Sequence, residues 1–378
     1  MTQQAAVSKE INQDLETRVE ALKKEIKDEY REAHKKPWII GFSGGKDSTL
    51  VLHLVIESLL ELPWSERKRE VHVVANDTLV ESPIVQAFVD QTLDRLNIAL
   101  ADLQLPCTVN KTTPKVSQTF WVNVIGRGYP SPTRMFRWCT DRMKIRPTTD
   151  FIRDKVSESG EVILLLGVRR NESAARAASA KRYDNGGRLN LHNDIPGCFV
   201  FRPILELSVE DVWEYLMSRQ APWAGTHDSL VKLYRDAMGD ECPIVIDPDS
   251  QPSCGSSSIR FGCWTCTVVE KDKSFRNQVD NGFEHLIPMA DFRDWLKVFC
   301  YEPENRMQER RNGQEGIGPL KFEARKIVLN KLLDLQRLVN QPLISTAEVM
   351  EIEKIWEDDK STGVMRKAQR LITLLEVH

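Results

Sequence analysis

The sequence contains no apolar run near the roughly 18 residues that a membrane span needs, no internal repeat and no low-complexity tract. Its opening, "MTQQAAVSKEINQDLE", has neither the basic start nor the apolar stretch of a secretory signal. These absences predict a cytoplasmic protein without a membrane partner. There is little excess charge either: the net is −3 over 378 residues, so any basic surface must be local. Aromatic residues make up only 7%, yet hydrophobic residues reach 41% and charged ones 28%, an ordinary globular balance. That length allows two domains, or one large domain with appendages. Cysteine is not scarce. Eight are present, and in a reducing compartment they do not form a disulfide framework, so their spacing carries information.

Residues 8–36 carry Ile11, Leu15, Val19, Leu22, Ile26 and Tyr30 at steps of three and four, which predicts an amphipathic helix that Pro37 ends. Apolar runs follow at 38–42, 71–75, 107–111, 162–167 and 199–204. Helical patterns separate them at 48–61, 82–101 and 143–157, and Ser208 is placed to cap a further helix over 207–218. This alternation predicts an α/β fold, a parallel sheet with helices on both faces. The polar stretch 180–194 reads as a mobile loop. Between 219 and 270 the pattern breaks into Pro, Gly, Ser and Cys, and beyond 272 it is helical, with turns near 302–303 and 312–319. The expected organisation is an N-terminal helix (1–36), a nucleotide domain (37–218), a cysteine-rich insertion (219–300) and a helical C-terminal region (301–378).

The stretch "WIIGFSGGKDSTLVLHLV" (38–55) has the makings of a phosphate loop but lacks the Walker pattern, because Gly45-Lys46 is followed by Asp47 and not by a hydroxyl. It lies between a strand and a helix, where parallel sheets present ligand sites. Ser43, Gly44 and Gly45 can aim N–H groups at an anion, the helix after them adds its positive end, and Lys46 adds a formal charge. The plain alternative is a tight turn whose glycines serve geometry alone. The full string Ser43-Gly-Gly-Lys-Asp-Ser48 favours a ligand loop.

Cys242, Cys254, Cys263 and Cys266 fall within 25 residues of a Gly-, Ser- and Pro-rich stretch. Four thiolates suit structural zinc or an iron–sulfur cluster. Only one tight Cys-x-x-Cys pair is present, and Trp264, Val268 and Val269 offer an apolar cover, so the pattern favours a [4Fe–4S] cluster over zinc. Cys107 and Cys300 read as small buried residues. Cys139 lies among Arg134, Arg137, Arg142, Lys144 and Arg146, a setting that should lower a thiol's pKa and favour thiolate; its plain alternative is a buried structural thiol.

The loop resembles the signature of the PP-loop ATP pyrophosphatases, which cleave ATP between the α and β phosphates. That resemblance implies ATP held by Ser43, Gly44, Gly45, Lys46, Asp47 and Ser48, with Asp47 helping to hold Mg²⁺. "NDTLVES" (76–82) is similar to the superfamily's nucleotide-contacting turn, which implies a role for Asp77, otherwise a helix cap. "LGVRRNESAARAAS" (166–179) resembles the Gly-x-Arg-x-x-Glu-Ser-x-x-Arg element of sulfonucleotide (PAPS) reductases, which turns Arg169 and Arg176 toward phosphates. Together with "TFWVNVIGRGYPSPTRMFRWCTDRMKIRP" and "RFGCWTCTVV", these motifs resemble the DndC-type and SspD-type proteins of DNA phosphorothioation over about residues 37–330. The implied activity is adenylation of a DNA backbone phosphate, after which sulfur from a cysteine desulfurase replaces a non-bridging oxygen, with other phosphorothioation proteins as partners. In that reading Lys46, Asp47 and Cys139 are catalytic, Cys139 carrying sulfur as a persulfide or passing it on from the cluster.

Alternatives are a sulfonucleotide reductase, against which no cysteine follows Cys300, a tRNA thiolase, and a nucleotide-sensing scaffold without turnover. A nucleic-acid substrate needs basic surface. Residues 127–188 hold fourteen Lys/Arg against seven Asp/Glu, net +7. Arg306, Arg310, Arg311, Lys321, Arg325 and Lys326 form a second group, about half of which should be ordinary solvated charge.

Overall fold

Trp38–Phe42 places five apolar or small residues in a row and forms strand β1. In the computed structural model, which describes residues 2–170, 187–238 and 261–361, β1 pairs in parallel with β2 (Val71–Asn76) on one side and β4 (Val162–Leu165) on the other. β3 (Cys107–Thr112) extends the sheet beyond β2, and β6 (Cys198–Phe201) extends it beyond β4. All five apolar runs are therefore strands of one sheet, in the order β3-β2-β1-β4-β6-β5. Alternate side chains enter opposite cores, as a period of two requires. Trp38, Ile40 and Phe42 join one, and Ile39 joins the other with Val74, Val162, Leu164 and Ile152.

Five helices cover the first face: α1 (Thr2–Arg31), α2 (Lys46–Glu61), α3 (Pro83–Asp102), α5 (Val209–Ser218) and α6 (Asp228–Met238). Helix α4 (Arg146–Ser159) covers the second. The fold is α/β with helices on both faces, and the sheet is mostly parallel. One correction is needed: β5 (Leu189–Leu191), inside the stretch expected to be a loop, is a short antiparallel edge strand on β6. Three residues flanked by polar chain give too little alternation to be recognised. Helix α6 is a second correction, since it lies within 219–270, where the pattern breaks in sequence; its Leu230, Val231, Leu233, Tyr234 and Ala237 are all buried.

A second core lies beside the sheet. Residues 113–145, between β3 and α4, contain two π-helical turns, Val122–Gly126 and Thr140–Ile145. Around them pack α7 (Lys273–Asp280), α8 (Ile287–Phe299), α9 (Phe322–Val339) and α10 (Thr346–Ser361). Trp121 Nε1 donates to the Leu343 carbonyl (2.8 Å) and Trp356 Nε1 to the Ile125 carbonyl (3.0 Å), which bind the C-terminal helices to the first π turn. The buried Arg325 bridges the Gly126 carbonyl and Asp359, both at 2.8 Å. No helix among the described residues is long and apolar enough to cross a membrane.

Candidate nucleotide and sulfur site

Strand order reverses at β1: β2 and β3 lie to one side, and β4 and β6 to the other. Such a switch point opens a crevice at the carboxyl ends of the strands. The loops leaving β1 and β4 therefore meet there. Their meeting is close: a Cβ on Gly167 would sit 2.6 Å from the Asp47 carbonyl, so only glycine fits. Gly44, at φ +72°, makes the tight turn after β1. Ser48 Oγ donates to the Gly45 carbonyl (2.9 Å) and accepts from the Ser43 N–H (3.2 Å), which closes the loop on itself. Gly45 caps α2 without a side-chain hydrogen bond. The first-turn N–H groups of α2 thus receive no cap from the residue that precedes them, at an end that attracts anions.

Asp47 is clamped. Its Oδ1 accepts from Arg169 Nε at 2.5 Å and its Oδ2 lies 3.3 Å from Lys46 Nζ, all three side chains being at most 15% exposed. Arg169 thus meets the loop through its aspartate. Tyr234, on α6, was not foreseen: its hydroxyl accepts from the Lys46 N–H (3.2 Å), and the Lys46 ammonium lies 5.4 Å from its ring centre. Asp77 does not cap a helix. Its Oδ1 accepts from the Leu79 N–H (2.7 Å) and its Oδ2 pairs with Lys111 (3.1 Å), while Ser82 occupies the cap of α3. Ser43, Gly45, Lys46, Asp47, Ser48 and Asp77 line one cavity of about 540 Å³, roofed by Tyr234 and Phe261. That volume lies in the ordinary range for a small-molecule site.

Glu81 and Lys144 form the rim on the side of the second core. Glu81 Oε1 is 3.4 Å from Lys144 Nζ and 3.8 Å from Cys263 Sγ, and Glu81 also forms an antiparallel backbone bridge with Cys263. Thr78 Oγ1 lies 3.4 Å from the same sulfur. The 76–82 turn and Cys263 are therefore in direct contact. Burial pushes the Cys263 thiol up to about 12, with Glu81 adding to the shift. Cys263 and Glu81 in turn hold Lys144 above the ordinary lysine range.

Cys263 and Cys266 share one turn, closed by the Cys266 N–H donating to the Cys263 carbonyl (2.9 Å). Trp264 is buried over it as expected, but Val269 points outward, 42% exposed. Among the described residues no group of three or more metal-ligating side chains converges. Cys242, Cys254 and Arg176 lie outside the described residues. Cys300 is buried as expected, whereas Cys107 is only half-buried; burial pushes the Cys107 thiol up to about 12 and the Cys300 thiol to about 11.

The expected thiolate at Cys139 is corrected. Burial, reinforced by the neighbouring Cys266, raises its pKa, and Lys144 opposes this only in part. Of the basic residues beside it in sequence, Arg142 donates to Gln118 and Tyr129, and Arg146 pairs with Asp141. Within the second basic group, Arg306 and Arg325 are buried and spend their guanidinium groups on backbone carbonyls, whereas Arg310 and Arg311 are exposed.

A family model described as the phosphoadenosine phosphosulfate reductase domain matches residues 37–269. An uncharacterised protein of Methanocaldococcus jannaschii is 28% identical over 261 residues, 69% of this chain; the chain spans only 42% of that relative's length. Three solved structures show distant likeness, each with a TM-score too low to argue from. The phosphoadenylyl-sulfate reductase of Candida auris, as a phosphate complex, is 13% identical, covering 56% of this chain and 89% of its own (TM-score 0.33). The ammonia-dependent NAD synthetase of Campylobacter jejuni is 14% identical, covering 76% and 96% (0.35). A U34-tRNA thiolase of Methanococcus maripaludis with its [4Fe-4S] cluster is 13% identical, covering 78% and 82% (0.33). Because the matched span takes in the sheet, the clamped Asp47 loop and the Cys263–Cys266 turn, this chain belongs to the phosphoadenosine phosphosulfate reductase domain family.

Proposed function

We propose that this protein is an ATP pyrophosphatase that adenylates a DNA backbone phosphate, so that sulfur can replace one of its non-bridging oxygens. The observation that carries the reading is the cavity itself. It is lined by the Ser-Gly-Gly-Lys-Asp-Ser loop and by Glu81 and Lys144, and Glu81 in turn touches the cysteine turn. A phosphodiester is a poor electrophile toward an anionic sulfur, because its own negative oxygens repel it. Attack of one such oxygen on the α-phosphorus of ATP releases pyrophosphate and leaves the DNA phosphate carrying AMP as a leaving group. Lys46 and the first-turn N–H groups of α2 stabilise the charge that gathers on the departing pyrophosphate. Asp47, a hard oxygen donor at a phosphate-sized cavity, fits the role of helping hold Mg²⁺ with the nucleotide, while Arg169 keeps its carboxylate turned inward.

Cys139 is the proposed sulfur carrier, loaded as a persulfide by a cysteine desulfurase. Its outer sulfur attacks the activated phosphorus and AMP departs; a second thiol then attacks Cys139 Sγ, forming a disulfide and freeing the phosphorothioate. Cys263 and Cys266, with Cys242 and Cys254, would hold a [4Fe–4S] cluster, or zinc in its place, and a cluster there supplies a redox-capable centre with affinity for sulfur. The described pair is half-buried, shares one turn and is soft, which suits such a group. Separation of the nucleotide products tests the reading. ATP should yield AMP and pyrophosphate, and Asp47→Ala should abolish turnover while leaving the circular dichroism spectrum intact. ADP and phosphate as products would overturn it.

A further inference from the structure

Between the two π turns the chain forms a small hairpin. Thr133 and Phe136 exchange backbone hydrogen bonds, 3.3 Å each, and Thr133 Oγ1 accepts a third from the Phe136 N–H (3.1 Å). Arg134 and Met135 form the tip. Met135 is 96% exposed and Phe136 47%. Water contact of this kind gives no return in folding, since an apolar side chain gains free energy only when covered.

The base of the hairpin is rigid. Three consecutive carbonyls are pinned by three separate parts of the molecule: Pro130 by Trp138 Nε1 (3.0 Å), Ser131 by Tyr301 Oη (2.6 Å) and Pro132 by Thr267 Oγ1 (2.7 Å). Thr267 follows Cys266 directly, and Trp138 precedes Cys139. The tip is thus held at a fixed offset from the sulfur site.

Charge and aromatic faces alternate around it. Arg134 and Arg137 flank the two apolar side chains and are exposed. Behind Phe136, the Tyr129 ring lies 6.3 Å away, and guanidinium groups of Arg142 and Arg311 sit over that ring at 5.4 and 5.8 Å. Residues 127–146 contain six Lys/Arg and one acid, Asp141, and that acid is paired with Arg146 at 2.6 Å. An acidic polypeptide would satisfy the arginines but leave Met135 and Phe136 without apolar partners. A DNA strand satisfies both, because phosphates alternate with flat apolar bases along it.

We infer that the Thr133–Phe136 hairpin is a wedge that enters an unstacked DNA strand, with Met135 and Phe136 against the bases and Arg134, Arg137 and Arg311 on the phosphates. Inserted Met and Phe side chains unstack neighbouring bases, and stacking on rings tolerates any base sequence. The inference rests on the DNA reading above and adds the form of the substrate: the strand arrives opened, so that its backbone can be led past Cys139 to the Lys144 rim.

The test uses the full chain and a labelled single-stranded oligonucleotide, with its duplex and the matching RNA as separate arms. Anisotropy titrations should show tighter binding to the single DNA strand than to the duplex. Met135→Ala combined with Phe136→Ala should weaken that binding about tenfold with the salt slope unchanged. Arg134→Gln and Arg137→Gln should each lower the slope by about 0.7. An oligonucleotide carrying 2-aminopurine should brighten on binding the unchanged protein, as the base unstacks, and not on binding the Met135/Phe136 double variant. ATP cleavage without DNA should be the same in all variants. Equal binding and equal brightening by the double variant, or displacement by polyglutamate at equal charge, would overturn the wedge alone, whereas tighter binding of RNA would overturn the DNA reading. A protein that binds no DNA at all would likewise overturn the functional reading beneath it.

Discussion

A methyl group at position 167 would land 2.6 Å from the carbonyl of Asp47 and 2.7 Å from the amide of Ser48. Backbone cannot yield as a side-chain tip can, so Gly167→Ala should push the β4 loop away from the start of α2. We expect a loss of about 1–3 kcal/mol in stability and a larger proportional loss of ATP affinity, because Arg169 then no longer reaches Asp47. Equilibrium denaturation and a nucleotide-binding titration on the same variant measure the two effects. Unchanged affinity would show that the Arg169–Asp47 clamp does not matter to the site. At this scale the loop residues 43–48 were legible, since glycine, lysine and aspartate at fixed spacing constrain what the backbone can hold. Tyr234 was not. Its ring reaches Lys46 from 188 positions away, and no local pattern encodes such a contact. The Cys139 environment misled for a related reason: neighbouring arginines in sequence point to Gln118, Tyr129 and Asp141, so proximity along the chain was not proximity in charge.

Among the elements, α2, α5 and α6 meet around a buried polar knot. His53 Nδ1 lies 3.0 Å from His227 Nε2, the other His53 nitrogen lies 3.2 Å from Glu57, and the Tyr215 hydroxyl donates to the same carboxylate. Burial, with His53 beside it, pushes His227 down to about 4. Burial would raise Glu57, but His53 and Tyr215 outweigh it and hold the carboxyl at about 2. A histidine depressed in the folded state binds its proton more readily when unfolded. Its contribution is therefore complete above pH 6.5 and is lost as pH falls from there to about 4, roughly 3 kcal/mol in all. Chemical denaturation at pH 7.0, 5.5 and 4.5 should show this decline, and His227→Asn should flatten it across that window. A slope unchanged by the substitution would assign the acid lability to other groups. The five strands and the helix cap at Ser208 were readable because short continuous apolar runs and capping chemistry are local. The Ser208 hydroxyl accepts from the Asp211 N–H (3.0 Å), and the Asp211 carboxylate returns the contact. Helix α6 was hidden because a Pro- and Gly-bearing approach, "QAPWAGTHDS", masked where its apolar stripe begins.

Over the whole molecule, the second core reaches the sheet where the cysteine turn contacts Glu81, at the edge of the cavity that loop 43–48 lines. The π turns at 122–126 and 140–145 belong to the second core, and nothing in their composition announced it: the segment reads as one apolar patch followed by a basic one. Its partners come from residues 264–352, which makes the contact a property of the complete fold. Iron and zinc content after anaerobic purification tests the metal reading at this scale. Cys263→Ser or Cys266→Ser should remove most bound iron, whereas Cys107→Ser should remove none. Cys139→Ser should keep ATP cleavage and lose sulfur transfer to DNA, read as phosphorothioate-linked dinucleotides by mass spectrometry. Stoichiometric zinc without iron would replace the cluster by a structural ion.

The bridge between Glu81 and Cys263 has a thermodynamic corollary. One residue belongs to the turn that closes the nucleotide cavity and the other to the turn that carries two thiols, and each fixes the other's backbone. Order imposed at either end is then order already supplied to its neighbour. Coupling of this kind is reciprocal: whatever factor metal loading adds to nucleotide affinity, nucleotide must add to metal retention. ATP should therefore slow the loss of metal to a chelator, and a protein stripped of metal should hold ATP more loosely by the same ratio.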